Sequence, residues 1–139
     1  MNSVGVEGTT EHPELVFSDS FNVAVPLIDR HLDEGRADKT VIYTADEEVT
    51  YRQLAEQVNK WGNALAGIGL KPGERALMVV KDCPEFFYLF WGCIKSGIIP
   101  VPLNTLLRAK DFGFIIEDSG CNSVLYSPEF ADEVEAALA

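Results

Sequence analysis

Few residues in this sequence carry reactive chemistry, and Lys95 is the most suggestive of them. It ends the stretch PEFFYLFWGCIK, where a lone cation closes a helix pattern that is otherwise nearly apolar. Such a cation must reach either solvent or an anion, and the last turn of a helix favours positive charge in any case. From the residue alone, a snorkelling side chain and a phosphate contact both fit. Asp82 falls at the C-terminal end of an apolar strand pattern, where α/β proteins place functional groups. It serves equally well as a cap for the helix that opens at Pro84. His12 and His31 have no partner close in sequence and read as surface residues.

Nucleophile, metal and phosphate-loop chemistry find no pattern. Cys83, Cys93 and Cys121 are an odd number with no CxxC pair. That argues against a disulfide framework or a zinc site and for small buried hydrophobes. Gly67, Gly69 and Gly73 follow a helix pattern and precede a strand. A phosphate cradle needs the reverse order, with backbone N–H groups converging at a helix start. No Ser/Thr/Gly-rich tract ending in lysine is present. We therefore assign no catalytic residue and no metal ligand, and expect the segment to be inactive alone.

The elements that would position these residues are well marked. Residues 1–20, MNSVGVEGTTEHPELVFSDS, read as a flexible polar leader without a signal peptide's basic start and apolar core. A short helix begins near Phe21, capped by Asn22, with Pro26 confining its regular part to the second half. KTVIY and EVTY flank TADE and predict an antiparallel hairpin over residues 40–50. Thr50 and Gln53 form a capping box. Leu54, Val58, Trp61, Leu65 and Ile68 then recur on one helical face, and Gly69 ends it. Trp61 on that stripe reads as core rather than as a ligand-stacking ring.

Downstream the pattern alternates strand and helix. RALMVV is a buried strand, and the following helix is apolar on nearly every side, which predicts a sandwiched position. IIPVPL, a helix over residues 110–118, the strand SVLYS and a helix announced by Ser127-Pro128-Glu129 complete the chain. The alternation predicts an α/β, three-layer fold: a mostly parallel sheet flanked by helices, with the antiparallel hairpin on its N-terminal side. IIPVPL carries prolines at alternate positions, Pro100 and Pro102, which suits a strand end or a sheet margin. The uncapped EFADEVEAALA ending and a sheet of about three strands lead us to expect part of a longer chain.

The chain has 139 residues, 47% of them apolar, enough for one domain with a core. Its 22 acidic against 11 basic residues give a net charge of −11. That balance opposes nucleic-acid binding and adhesion to anionic membranes. Residues 86–103 could pass for a membrane span, but Lys95 and the two prolines interrupt it. A cytoplasmic location is the expectation.

Several landmarks in order resemble the N-terminal portion of the adenylate-forming acyl-CoA ligases. These are Thr50-Tyr51 opening a helix, GIGLKPGER over residues 67–75, and the strand ALMVV. The helix ending CIKSG, PVPLN finishing at Asn104, and EDSG from Glu117 follow. FNVAVPLID from Phe21 and NTLL from Asn104 look most like the benzoate and hydroxybenzoate ligases. The resemblance covers residues 21–139 and implies a truncated segment of the large AMP-binding (adenylation) domain. It implies an enzyme that uses ATP, with Mg²⁺, to activate an aromatic acid as an acyl-adenylate. CoA then accepts the acyl group. The family's phosphate loop, acyl pocket and catalytic lysine would lie beyond Ala139, and a homodimer would be compatible. Lys95 matches the position of a basic residue that approaches the CoA nucleotide phosphates in related ligases, so the resemblance makes it a candidate CoA contact.

Two other readings compete. A receiver-type signalling domain would need an acidic pair after its first parallel strand, and only Asp82 follows RALMVV; no acid ends PVPLN. A non-catalytic interaction module would use an open sheet edge or apolar face.

Overall fold

The computed structural model describes residues 4–139. Its first element is one that we did not expect. Val4–Gly8 (β1) and Pro13–Phe17 (β2) pair as an antiparallel ribbon within the stretch read as leader. Register sets Val4 opposite Phe17 and Val6 opposite Leu15, so these four share one face, and all are exposed. Residues 1–3 of the leader lie outside the described residues.

The next segment follows the sequence closely. Asn22 Oδ1 accepts from the Ala24 N–H at 3.1 Å. A π-helical turn over Val25–Asp29 then leads into the short helix α1, Arg30–Asp33. Pro26 in the first turn removes a donor the ladder does not need there. Thr40–Tyr43 (β3) and Glu48–Thr50 (β4) form the expected antiparallel hairpin. Thr50 closes the capping box with Gln53 and starts α2, Tyr51–Gly67. Leu54, Val58 and Leu65 are buried as the stripe requires, and Trp61 is partly so. Ile68 is not: it lies just past the last helical turn, 68% exposed. Gly69 at φ 96° turns the chain away, a conformation only glycine adopts cheaply.

Arg75–Val79 (β5) is the centre of a three-stranded parallel sheet ordered β6-β5-β7. The flanking strands are Ile99–Pro102 (β6) and Ser123–Tyr126 (β7). Helix α3, Pro84–Lys95, connects β5 to β6, and α4, Ala109–Ser119, connects β6 to β7. After a 3₁₀ turn at Pro128–Phe130, α5 runs over Ala131–Leu138. Ala76 and Met78 pack with Leu65, Leu89 and Cys93 on the α2–α3 side. At the alternate register, Val79 packs with Phe112 of α4 and Val134 of α5 on the opposite side. These are the three layers. A third cluster joins Ile28, Val49, Leu54, Val58 and Tyr88 beneath the β3–β4 hairpin, and Trp61 packs against both it and the α2–α3 core.

The paired prolines now have a structural reason. Ile99 and Leu103 donate their N–H groups to Glu74 and Met78 carbonyls at 2.8 and 2.9 Å. Alternation turns the backbone of Pro100 and Pro102 outward, to the side of β6 with no neighbouring strand among the described residues. There a missing N–H removes no ladder bond.

Helix α3 lies between the sheet and α2, as its apolar pattern predicts: Leu89 and Cys93 pack with Ala76 and Met78 of β5 and with Leu65 of α2, while Phe87 remains 41% exposed. Glu133 of α5 caps the start of α4, accepting from the Ala109 N–H at 2.8 Å and from Arg108 Nη1 at 3.0 Å.

Candidate functional site

Two places have the character of a site. The first is set by chain order. From β5 the chain crosses to β6 on one side and then back to β7 on the other, so α3 and α4 diverge onto opposite faces. The C-terminal strand ends between them stay open, the place where open α/β sheets receive ligands. A crevice of about 380 Å³ lies there. Trp61, Leu89 and Leu125 form its apolar wall, and Lys81, Ser127 and Glu129 its polar side.

Those polar groups are engaged with one another. Lys81 Nζ donates to Glu129 Oε1 at 2.6 Å. That hydrogen bond raises the Lys81 pKa and lowers that of Glu129. Both side chains are largely exposed, so the pair is screened and modest in strength. The Lys81 N–H donates to Ser127 Oγ at 3.1 Å, tying the end of β5 to the end of β7. Cys83, also on the wall, has its thiol pKa raised by burial, which opposes nucleophilic use. Asp82 neither lines this crevice nor caps α3. Cys83 takes the N-cap position, without a side-chain cap hydrogen bond.

The second place is the other end of α3, where Lys95 sits. Its Nζ donates to Asp29 Oδ1 at 2.7 Å, with 26% and 29% of the two side chains exposed. The Asn22 amide donates to the carbonyls of Ile94 and Lys95 at 2.9 and 3.2 Å. These carbonyls belong to the last helical turn, which lacks intrahelical donors. The segment entering the π-helical turn thus grips the end of α3 twice, at its carbonyls and at its cation. Lys95 therefore meets an anion, as its position demanded, and the anion is a protein carboxylate 66 residues away.

The remaining candidates separate. His31 does have a close partner: its Nδ1 accepts from Arg36 Nε at 2.8 Å, and its ring stacks on Tyr51 at 4.0 Å. His12 accompanies Thr9 in the β1–β2 turn, its N–H donating to Thr9 Oγ1. Cys93 is wholly buried, and burial raises its pKa to about 11. Among the described residues the cysteines are free, and no group of three or more His, Cys, Asp or Glu could hold a metal ion. Nor, among them, is any helix long and apolar enough to cross a membrane.

The chain belongs to the AMP-binding enzyme family, whose pattern it matches over residues 29–139. It is 38% identical over 119 residues to the 4-hydroxybenzoate–CoA/benzoate–CoA ligase of Rhodopseudomonas palustris, covering 86% of this chain and 22% of that one. To the benzoate–CoA ligase of Thauera aromatica it is 37% identical over 118 residues, covering 84% and 22%. Among solved structures it superposes on a benzoate CoA ligase from Burkholderia xenovorans LB400 with a TM-score of 0.80 at 33% identity, over 86% of this chain and 24% of that one. The anthranilate CoA ligase AuaEII in complex with anthranoyl-AMP gives 0.77 at 35%, over 81% and 22%. The chain thus spans about a fifth of the length of these relatives.

Proposed function

We propose that this chain is the N-terminal portion of an AMP-forming carboxylic acid–CoA ligase acting on a benzoate-like aromatic acid. The observation that carries the reading is the combination of family membership with 38% and 37% identity to two benzoate-type ligases. In this reaction ATP converts the carboxylate to an acyl-adenylate with release of pyrophosphate, in the presence of Mg²⁺. The CoA thiol then displaces AMP. Physically, the first step supplies a leaving group that a carboxylate lacks, and the second depends on presenting the thiol in line with the activated carbonyl.

The described residues contribute the scaffold of the domain. The nucleophile is the thiol of CoA, and the crevice polar groups already hold one another, so we assign no catalytic residue here. Lys95 is the one ligand contact we propose, as a point charge for the CoA nucleotide phosphates. On this reading the 139-residue chain is inactive by itself and works as part of a longer polypeptide in the cytoplasm.

A pyrophosphate-release assay tests the proposal. The complete polypeptide should release pyrophosphate from ATP with benzoate, and residues 1–139 should not. Activity in the short chain, or none with any aromatic acid in the complete one, would defeat it.

A further inference from the structure

Asp29 is placed where it can decide how strongly Lys95 attracts an anion. The carboxylate sits 2.7 Å from Nζ, and neither side chain is more than a third exposed. The contact is not an accident of two long, free side chains. Asp29 ends the π-helical turn, and Asn22, at the entrance to that turn, is bonded to the carbonyls of Ile94 and Lys95. The backbone on both sides of the ion pair is therefore fixed by contacts that do not involve the pair.

Resting on the reading of Lys95 as a phosphate contact, we propose that Asp29 is its resident counter-ion, which the CoA nucleotide must share or displace. An ammonium has three N–H donors, and Asp29 occupies one. The others can reach an incoming phosphate, but that phosphate also meets the Asp29 carboxylate, and like charges a few ångströms apart in a partly buried site repel. Asp29 thus keeps Lys95 in place in the empty protein and weakens its hold on the nucleotide. Opposing effects compete in a variant lacking the charge: Lys95 loses its fixed rotamer and the phosphate loses a repelling neighbour. A dianionic phosphate feels the second more strongly, so neutralising Asp29 tightens nucleotide binding. Asp29 touches no reacting atom; it tunes the anion affinity of the place that Lys95 provides, by holding the ammonium and by its own charge.

The test compares kcat/KM for CoA with that for pantetheine, which lacks the nucleotide phosphates, in the complete ligase. Asp29→Asn should raise the CoA-to-pantetheine ratio by about three- to fivefold, the scale of one partly exposed ion pair. The change should appear in KM for CoA. Lys95→Gln should lower the ratio, and the double variant should rise above Lys95→Gln, because the Asp29 carboxylate repels the phosphate whether or not the ammonium is present. Asp29→Glu, which keeps the charge, should stay near the unmodified ratio and guards against a folding defect in the Asn variant. A ratio that falls or stays level in Asp29→Asn, while Lys95→Gln lowers it, overturns the counter-ion role and leaves the phosphate contact standing. If Lys95→Gln leaves the ratio unchanged, the phosphate contact itself fails and the role of Asp29 falls with it.

Discussion

Gly92 of α3 lies against Gly62 of α2 so closely that a Cβ on Gly92 would stand 3.1 Å from the Gly62 nitrogen and 3.2 Å from the Val58 carbonyl oxygen. The two helices that carry the central core pack closely here, and the neighbours, which include Trp61 Cβ at 3.0 Å, are backbone or backbone-anchored atoms that cannot rotate away. Gly92→Ala gains about 1 kcal/mol in helix propensity but incurs overpacking of roughly 1–3 kcal/mol. The expected outcome is a net loss of stability by urea denaturation. Gly62→Ala should be milder, because its closest clash, at 2.6 Å, is with the Ser96 hydroxyl, which can turn aside.

The borrowed cap of α4 makes acid sensitivity readable. The Ala109 N–H and then Arg108 hold the Glu133 carboxyl below its ordinary value of 4.5. A lowered folded pKa means that this stabilisation is complete above 4.5 and is lost as pH falls through the lower folded value. Glu133→Gln should remove that part of the acid limb in a melting-temperature series while keeping an acceptor for Ala109. Glu133→Ala should melt lower at neutral pH as well. An unchanged acid limb in the Gln variant would show that the cap is not formed.

Thiol reactivity should divide by depth. Cys93 is fully buried, with its pKa at about 11, so almost no thiolate exists near neutral pH and no reagent reaches it. Cys83 and Cys121 are half-buried. Titration with a chromogenic disulfide at pH 8 should leave Cys93 unlabelled in the native chain and label it after denaturation, with mass mapping to assign the sites. Native labelling of Cys93 would contradict the α2–α3 core.

Pro100 and Pro102 deny donors to the outer side of β6. Replacing both with valine restores two outward N–H groups on an edge strand, which favours pairing between chains. Light scattering across a concentration series should show more self-association in the double variant than in the parent. Equal behaviour would mean that this edge is already protected by other means.

Much of this was legible before any coordinates. Helix α2 is written in local rules, a capping box at Thr50 and Gln53 and a stripe of apolar residues, and local rules survive folding. The short apolar strands and the Asn22 cap are similarly plain. The β1–β2 ribbon escaped notice because Val4, Val6, Leu15 and Phe17 remain exposed and bury no core that would stand out in the pattern. The partners of Lys95 and of the Ala109 N–H escaped for another reason. Asp29 and Glu133 reach them across 66 and 24 residues, and such contacts exist only once the layers have assembled. For the site, the sequence identified a cation that needed an anion and left the anion's identity to the fold.

The position of Trp61 across two apolar clusters governs what an optical experiment on this chain can see. The only other tryptophan, Trp91, packs against the cluster beneath the hairpin, so the indole signal comes entirely from the first two-thirds of the sequence. Loosening of α4 and α5 from the sheet would pass almost silently in fluorescence. Backbone hydrogen exchange would register it, and a mismatch between the two records would locate the less stable layer.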